Sequence, residues 1–243
     1  MIRDGLSTNT QPIHSFLLIG QSNMAGRGVI GDVPPIENES CRMLRMGRWQ
    51  KMREPINPDR GIFEGTTRSG VGLGASFADT VAKATGWTVG LIPCADGGTR
   101  IDQWAEGEIL FDHAVMMARL AMRSSALSGI LWHQGESDCG SDESSLAHKK
   151  KFRAMITALR RELGAEELPL LIGELSHQFD PKYQMEDRHL AVNRQYHELS
   201  AVLSPCKIIS AEGLSMKPDG LHFDAAAQRI FGVRFAEAYL SLL

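Results

Sequence analysis

The sequence predicts an α/β protein built on a five-stranded parallel sheet. Short apolar runs of strand length alternate along the chain with longer segments of helical periodicity, an alternation typical of right-handed strand-helix-strand crossovers. The first runs are continuously apolar rather than alternating, which favours strands covered on both faces. Three of the runs end in polar, glycine-containing segments. Because the carboxyl ends of parallel strands meet at one sheet edge, we expect function there.

The predicted elements follow one another in regular order. Strands are predicted over 16–19, 88–93, 128–132, 168–175 and 207–211. Helices are predicted over 74–84, 109–127, 144–163, 186–203 and 224–242. The stretch 28–70 contains prolines at 34, 35, 55 and 58 and is expected to be irregular, with short extended pieces around 42–46 and 49–52. Long loops in compact domains tend to be functional, so this stretch is a candidate wall of the substrate cleft.

Length and charge limit the functional class. The 243 residues show no linker or repeat, so we expect one domain over 1–243 with a loose N-terminal segment at 1–12. The net charge is −3, and Lys and Arg are scattered, which does not favour a nucleic-acid partner. No apolar stretch approaches a membrane span or a signal peptide, so no membrane partner is expected. We expect a cytoplasmic location by default; a secreted mature form and the oligomeric state are left open.

The cysteines give no metal-binding pattern. Cys41, Cys94, Cys139 and Cys206 lie far apart and show no zinc-ligand spacing. We therefore expect no metal site. The spacing leaves open whether Cys94 and Cys139 pair, since both follow predicted core strands.

A serine stands at the turn that follows the first strand. Ser22 comes two residues after Gly20, and a serine that only caps a helix is the simpler interpretation of that turn alone. Near the other end of the chain, Asp219 and His222 lie three residues apart across Gly220. A histidine can take the serine proton near neutral pH, and an aspartate can orient the imidazole. Together these residues predict serine catalysis.

The same reaction needs donors for a developing oxyanion. The backbone N–H groups of Ser22 and of Gly97 or Gly98, with the side-chain amide of Gln134, are the expected donors. For the paired glycines, an ordinary flexible turn is an equally good interpretation when they are considered alone.

These motifs resemble those of the SGNH hydrolases, in the branch of carbohydrate esterase family 6 and the sialate O-acetylesterase-like domains. The matching blocks are 20–26, 97–99, 132–138 and 219–222, which are GQSNMAG, GGT, WHQGESD and DGLH. They stand in family order and span nearly the whole chain. The resemblance implies a flavodoxin-like three-layer α/β/α sandwich and a serine esterase that removes O-acetyl groups from acetylated sugars, such as acetyl-xylan, without metal or cofactor.

The resemblance also implies residue roles. Ser22 corresponds to the nucleophile, His222 to the base and Asp219 to the acid. Two positions depart from the wider superfamily: Gln21 stands where an aspartate is usual, and Gln134 stands near the usual asparagine donor. Gln21, Asn23 and Glu136 are expected to support the triad from outside it.

Alternatives remain open at this point. Glu136 and Asp138 could be mistaken for a glycosidase pair, but opposed carboxylates in such enzymes are about 5–9.5 Å apart across the substrate. For Glu136 we favour a role in holding His222 or the loop backbone, and a purely structural loop acid is nearly as good an interpretation. Alternative functions are a catalytically weak carbohydrate-binding domain, a sialate O-acetylesterase and an esterase of different acyl preference.

Overall fold

A seven-stranded sheet forms the centre of the protein in a computed structural model that describes residues 12–58 and 68–243. The strands are β1 (Ile13–Gly20), β2 (Cys41–Arg45), β3 (Arg48–Lys51), β4 (Thr88–Pro93), β5 (Ser125–His133), β6 (Leu170–Gly173) and β7 (Cys206–Ile209). Their order is β3-β2-β4-β1-β5-β6-β7, and every neighbouring pair is parallel except β2 with β3. The predicted fold class is confirmed, and the strand count is corrected from five to seven.

The two additional strands come from the stretch that was expected to be irregular. Both extended pieces were predicted, and they pair as a hairpin that adds to the sheet beside β4. The turn between them is Met46-Gly47, with φ of 51° and 74°. Two-residue hairpin turns favour positive φ at both positions, but Met is not a residue that signals such a turn. Residues 59–67 of this stretch lie outside the described residues, as do residues 1–11 of the predicted N-terminal segment.

Residues 12–58 and 68–243 form six α-helices around the sheet. They are α1 (Ser22–Ala25), α2 (Leu73–Thr85), α3 (Ile109–Met122), α4 (Asp142–Leu163), α5 (Arg188–Ser200) and α6 (Ala225–Leu240). The helix predicted over 109–127 is shorter in the structure, since α3 ends at Met122 and β5 begins at Ser125. Ser125 pairs with Ile13 of β1, so sheet pairing overrides the helical propensity of the following residues.

The core lies on both faces of the sheet. In β1, Phe16 and Leu18 face α2 and α6, whereas Leu17 and Ile19 face α3, α4 and α5. All four side chains are almost completely buried. Burying a side chain of this size stabilises the fold by about 1.5–3 kcal/mol. This arrangement is the three-layer α/β/α sandwich, and it holds the carboxyl end of β1 in the middle of one sheet edge.

The cysteines do not cross-link the fold within the described residues. Cys94 and Cys139 do not form a disulfide with each other. Burial raises the pKa of the Cys41 thiol to about 12. Among residues 12–58 and 68–243, no helix is both long and apolar enough to cross a bilayer.

Candidate active site

Three strand ends and one turn meet around a cleft of about 390 Å³. The end of β1 supplies Ser22, the segment after β4 supplies Gly97, the segment after β5 supplies Glu136, and the turn before α6 supplies His222. The cleft is lined by Gln21, Ser22, Arg27, Gly97, Gly98, Glu136, Ser137, Tyr183, Met185, Leu221 and His222. A larger groove of about 840 Å³ lies between α4 and α5, and none of the predicted site residues lines it.

Ser22, His222 and Asp219 form a continuous hydrogen-bonded chain. Nε2 of His222 lies 3.0 Å from Oγ of Ser22, and Nδ1 of His222 lies 3.0 Å from Oδ2 of Asp219. An ionised carboxylate accepts hydrogen bonds only, so the proton belongs on Nδ1 and Nε2 is free to accept the serine proton. The two ends of the sequence are therefore brought together as predicted.

The Asp219 carboxylate also closes the turn that carries the histidine. Its Oδ1 accepts the backbone N–H groups of Leu221 and His222, each at 2.9 Å. Burial alone would raise the pKa of Asp219, but the hydrogen bonds from His222 and Leu221 outweigh it and lower the pKa to about 2. One carboxylate thus fixes both the turn and the direction of the imidazole ring.

The turn of β1 before the serine requires a glycine. Gly20 has φ of 134°, and a Cβ there would collide with the carbonyl oxygen of His133 on β5. The next residue, Gln21, donates its N–H to that same carbonyl at 2.9 Å. The close approach of the two strands therefore sets where Ser22 leaves the sheet.

Asn23, the residue after Ser22, contacts both chain neighbours of His222. Its Oδ1 accepts the N–H of Phe223 at 3.0 Å, and its Nδ2 donates to the carbonyl of Leu221 at 3.3 Å. The same Nδ2 donates to Oε1 of Glu136 at 2.8 Å. Glu136 therefore reaches the segment of His222 through Asn23, and its carboxylate holds the Asn23 amide in one orientation.

Gln21 makes the weaker contacts of the three supporting residues. Its Oε1 lies 3.5 Å from the N–H of Gly135 and 3.4 Å from that of Ser137. These are long hydrogen bonds from the segment that follows β5. Gln21 thus links the turn of the serine to the end of the neighbouring strand.

The paired glycines lie at different distances from the serine. A Cβ on Gly97 would stand 3.7 Å from Cβ of Ser22, whereas a Cβ on Gly98 would meet no atom within 4 Å. Within the described ranges, neither N–H donates to another residue's backbone. Gly97 is therefore the glycine beside the nucleophile.

Gln134 does not occupy the predicted position. Its side chain is completely buried, and its Nε2 donates to the carbonyl of Thr99 at 2.9 Å and to Oδ2 of Asp138 at 2.6 Å. A primary amide has two N–H groups, and both are used inside the protein. The expectation that Gln134 donates to an oxyanion is corrected: its amide joins two loops below the cleft.

Some cleft residues had no signal in the sequence. Tyr183 comes from the loop between β6 and α5, and its hydroxyl donates to the carbonyl of Asp219 at 3.0 Å. In the same loop, the N–H of Asp180 donates to the carbonyl of Gly220 at 3.0 Å. Arg27 borders Gly97, and its Nη1 donates to the carbonyl of Gly26. Only the length of a loop that follows a strand end could have drawn attention to this region.

Metal ions are usually held by clusters of His, Cys, Asp or Glu side chains. Residues 12–58 and 68–243 contain no group of three or more His, Cys, Asp or Glu side chains placed to hold a metal ion.

Known proteins share both the sequence and the fold. The family model described as "Carbohydrate esterase, sialic acid-specific acetylesterase" matches residues 12–241. A protein of Arabidopsis thaliana named as a probable carbohydrate esterase is 30% identical over 249 residues, which cover 95% of this chain and 91% of that protein. An X-ray structure of an Arabidopsis thaliana protein superposes with a TM-score of 0.84 at 30% identity, covering 95% of this chain and 98% of that one.

Two further structures share the fold at lower identity. NanS has a TM-score of 0.77 at 16% identity and covers 96% of this chain and 98% of its own. A carbohydrate acetylesterase from Xanthomonas citri has a TM-score of 0.68 at 20% identity, covering 93% of this chain and 55% of that one. The family match over nearly the whole length decides the assignment, and the chain belongs to the carbohydrate esterase family of sialic acid-specific acetylesterases.

Proposed function

We propose that this protein is a serine esterase that removes O-acetyl groups from acetylated carbohydrate through an acetyl-enzyme intermediate. Membership of the carbohydrate esterase family supports an esterase that acts on acetylated sugars. The observation that carries the serine mechanism is the chain from Ser22 through His222 to Asp219, with both links at 3.0 Å and the serine in an open cleft.

The reaction begins with attack on the acetyl carbon. Oγ of Ser22 forms a bond to that carbon while its proton passes to Nε2 of His222. The carbonyl electron pair moves onto oxygen and gives a tetrahedral oxyanion. When the C–O bond to the sugar breaks, His222 returns the proton to the departing sugar oxygen.

A water molecule then completes the cycle. It gives a proton to His222 as its oxygen attacks the acetyl group on Ser22, and collapse of the second tetrahedral intermediate releases acetate and restores the serine hydroxyl. Asp219 accepts the Nδ1–H throughout and stabilises the imidazolium in both halves. With a pKa of about 2, its carboxylate is ionised at every pH where the imidazole can act as a base.

The N–H groups of Ser22 and Gly97 are the proposed oxyanion donors. Gly97 is favoured over Gly98 because it lies beside the serine and Gly98 projects into open space. Removing one donor of this kind costs about 10²–10³ in kcat where it has been measured. With Gln134 committed elsewhere, backbone groups carry this task.

The cleft supports a second candidate substrate. Arg27 lines the same cleft as the serine, and a guanidinium pairs well with a carboxylate. The family description names sialic acid, an anionic sugar. A sialate O-acetylesterase is therefore the alternative to an enzyme for neutral acetylated sugars.

A panel of esters tests the proposal. p-Nitrophenyl acetate, butyrate and octanoate report acyl preference, and acetate release from acetyl-xylan, acetylated xylo-oligosaccharides and O-acetyl sialic acid reports the sugar. We expect acetate to be preferred and Ser22→Ala to be inert. No turnover by the wild type on any of them would instead support a carbohydrate-binding domain.

The variant Arg27→Gln separates the two substrates. If sialate is the substrate, KM for O-acetyl sialic acid should rise about tenfold or more, while KM for p-nitrophenyl acetate stays constant, because only the sugar carries a carboxylate. An equal change for both esters would count against recognition of an anion by Arg27.

A further inference from the structure

A second Asp-His-hydroxyl arrangement lies beneath the cleft. We call Asp138, His148 and Tyr196 the buried chain. Nε2 of His148 lies 2.8 Å from the hydroxyl of Tyr196, and Nδ1 of His148 lies 3.5 Å from Oδ2 of Asp138. The side chains of Asp138, His148 and Tyr196 are all at least 99% buried. None of them lines the cleft.

Hydrogen-bond counting shows what the tyrosine does. Its hydroxyl has one proton, which goes to the carbonyl of Gln134 at 2.6 Å. The hydroxyl oxygen then accepts from Nε1 of Trp132 at 3.0 Å and from Nε2 of His148. Burial raises the pKa of Tyr196 well above its usual value. The group therefore stays protonated and is a structural donor.

The other end of the buried chain holds the glycine loop. Oδ2 of Asp138 accepts the N–H of Ile101 at 3.0 Å and Nε2 of Gln134 at 2.6 Å. The same Nε2 donates to the carbonyl of Thr99 at 2.9 Å. One carboxylate oxygen thus restrains the loop on both sides of residue 100.

The loop is also tied on the near side of the glycines. Oγ1 of Thr99 donates to the carbonyl of Asp96 at 2.8 Å and accepts Nε1 of Trp104 at 3.1 Å. The N–H of Asp96 donates to the carbonyl of Gly20 at 3.0 Å. Gly97 and Gly98 therefore lie between two fixed residues, Asp96 and Thr99. The directions of the two glycine N–H groups depend on how these flanking residues are held.

We propose that Asp138 is a positioning residue for the oxyanion donors, acting through Gln134, Thr99 and Ile101, and that the buried chain holds it in place. The inference rests on the proposed function, because it assigns the loop to the oxyanion. Preorganised N–H donors stabilise the oxyanion only when they point at it, and a misplacement of about 1 Å can cost about 10²-fold. The pKa of the Asp138 carboxylate is lowered: burial raises it, but the nearby His148, the amide of Gln134 and the N–H of Ile101 together outweigh burial and favour the ionised form.

The test uses two changes at opposite ends of the buried chain. Asp138→Asn keeps the volume but weakens two hydrogen bonds to Oδ2, and Tyr196→Phe deletes only the hydroxyl that holds Gln134. Asp142→Asn is the matched control, because its carboxylate is 81% exposed one turn further along and pairs with Arg188. Each variant is assayed with p-nitrophenyl acetate for kcat and KM, and with phenylboronic acid as a tetrahedral inhibitor that bonds to Ser22.

We expect Asp138→Asn to lower kcat about 10–100-fold with little change in KM, because the donors act only on the transition state. The inhibition constant of phenylboronic acid should rise in parallel, since a boronate oxygen stands where the oxyanion would. Tyr196→Phe should show the same pattern at about 3–10-fold, and Asp142→Asn should stay within twofold of the wild type.

Three results would overturn the inference. One is a folded Asp138→Asn protein with kcat within twofold of the wild type. Another is a fall in kcat without weaker boronate binding. The third is failure of Asp138→Asn to fold while Tyr196→Phe keeps full activity, which would make Asp138 a purely structural residue. A wild type that does not turn over the ester defeats the proposed function instead, so the two failures are distinguishable.

Discussion

The molecule contains two Asp-His-hydroxyl chains of different character. In the chain of Asp219, His222 and Ser22, the acid is 34% exposed, the imidazole is 19% exposed and the serine opens into the cleft. In the buried chain, the Tyr196 hydroxyl has three partners within the protein. Both chains contain an aspartate and a histidine, and they end in a serine and a tyrosine hydroxyl respectively. The difference is that one hydroxyl has an accessible face and a proton acceptor, whereas the other is fully committed.

The two acids also act on different parts of the same site. Asp219 orients the imidazole of His222, which is the proposed base, whereas Asp138 restrains the loop that carries the proposed N–H donors. Both acids have lowered pKa values, and both are held in part by backbone N–H donors. The comparison predicts that substitutions in the chain of Asp219, His222 and Ser22 remove the proposed proton transfer and nucleophilic attack. Substitutions in the buried chain should instead weaken stabilisation of the oxyanion.

The largest contrast should come from deleting one oxygen in each chain. Ser22→Ala removes the proposed nucleophile and should lower kcat for p-nitrophenyl acetate by up to about 10⁶-fold. Its melting temperature should remain near that of the wild type, because the turn is formed by the backbone around Gly20. Tyr196→Phe, in contrast, should remain an active enzyme. A Ser22→Ala protein with most of its activity would show that the exposed chain is not the reaction centre.

The second largest difference in kcat is expected between substitutions of the two aspartates, Asp219 and Asp138. Asp219→Asn keeps a hydrogen-bonding side chain but permits the wrong imidazole tautomer, and such a change has cost about 10⁴ in kcat elsewhere. We expect a fall of about 10³–10⁴-fold, against the smaller loss for Asp138→Asn. Equal losses in the two variants would remove the distinction between the chains.

The stability of Asp219→Asn provides a control for this prediction. The folded-state pKa of Asp219 is lowered to about 2, so its ionised form stabilises the fold at pH values above its unfolded pKa of about 3.9. That contribution is lost as pH falls through the folded value. The difference in urea midpoint between wild type and Asp219→Asn should therefore be constant above about pH 5 and shrink between about pH 4 and 2.

Asn23 links the nucleophile to the base, and its loss should have an intermediate effect. Asn23→Ala releases the N–H of Phe223 and the carbonyl of Leu221, so the imidazole is less well fixed; we expect kcat to fall about 10–100-fold. Glu136→Gln is the control, because its remaining carbonyl oxygen can still accept the Asn23 amide. A larger loss for Glu136→Gln than for Asn23→Ala would mean that the glutamate charge acts directly in the cleft.

Some of these regions could be predicted from the sequence and others could not. β1, β4 and β5 have continuous apolar runs with polar ends, so the sheet edge and the meeting of Ser22 with His222 were predictable. The β2–β3 hairpin was not, because its turn uses Met46 rather than a residue that favours positive φ. Gln134 was misplaced because the direction of its amide depends on Asp138, and sequence spacing does not say which way a carboxylate turns inside a loop. Tyr183 reaches the cleft from a loop in which no motif was recognised, and Arg27 lies just outside the motif at 20–26.

The smallest expected effect comes from the positively charged side chain that lies beside each of the two aspartates. Nζ of Lys217 lies 3.7 Å from Oδ2 of Asp219, and Nε of Arg100 lies 3.8 Å from Oδ1 of Asp138. Near Asp219 the ammonium opposes the charged imidazolium, whereas Arg100 has no part in proton transfer. A charge change at Lys217 should therefore appear in the pH profile.

For the wild type, kcat/KM should rise with pH along one limb and then level off, because a general base with one proton to lose must be neutral to act. Lys217→Met should move this limb to higher pH by about 0.3–0.5 units, because the imidazolium is no longer repelled by the ammonium. The plateau should not change, since the neutral base is the same group in both proteins. The shift should shrink in 1 M NaCl, where charges are screened over about 3 Å. Lys83→Met is the control, because it removes the same charge from a lysine that pairs with Asp79 on α2. A limb that moves to lower pH, or an equal shift in Lys83→Met, would show that the Lys217 charge does not repel the imidazolium.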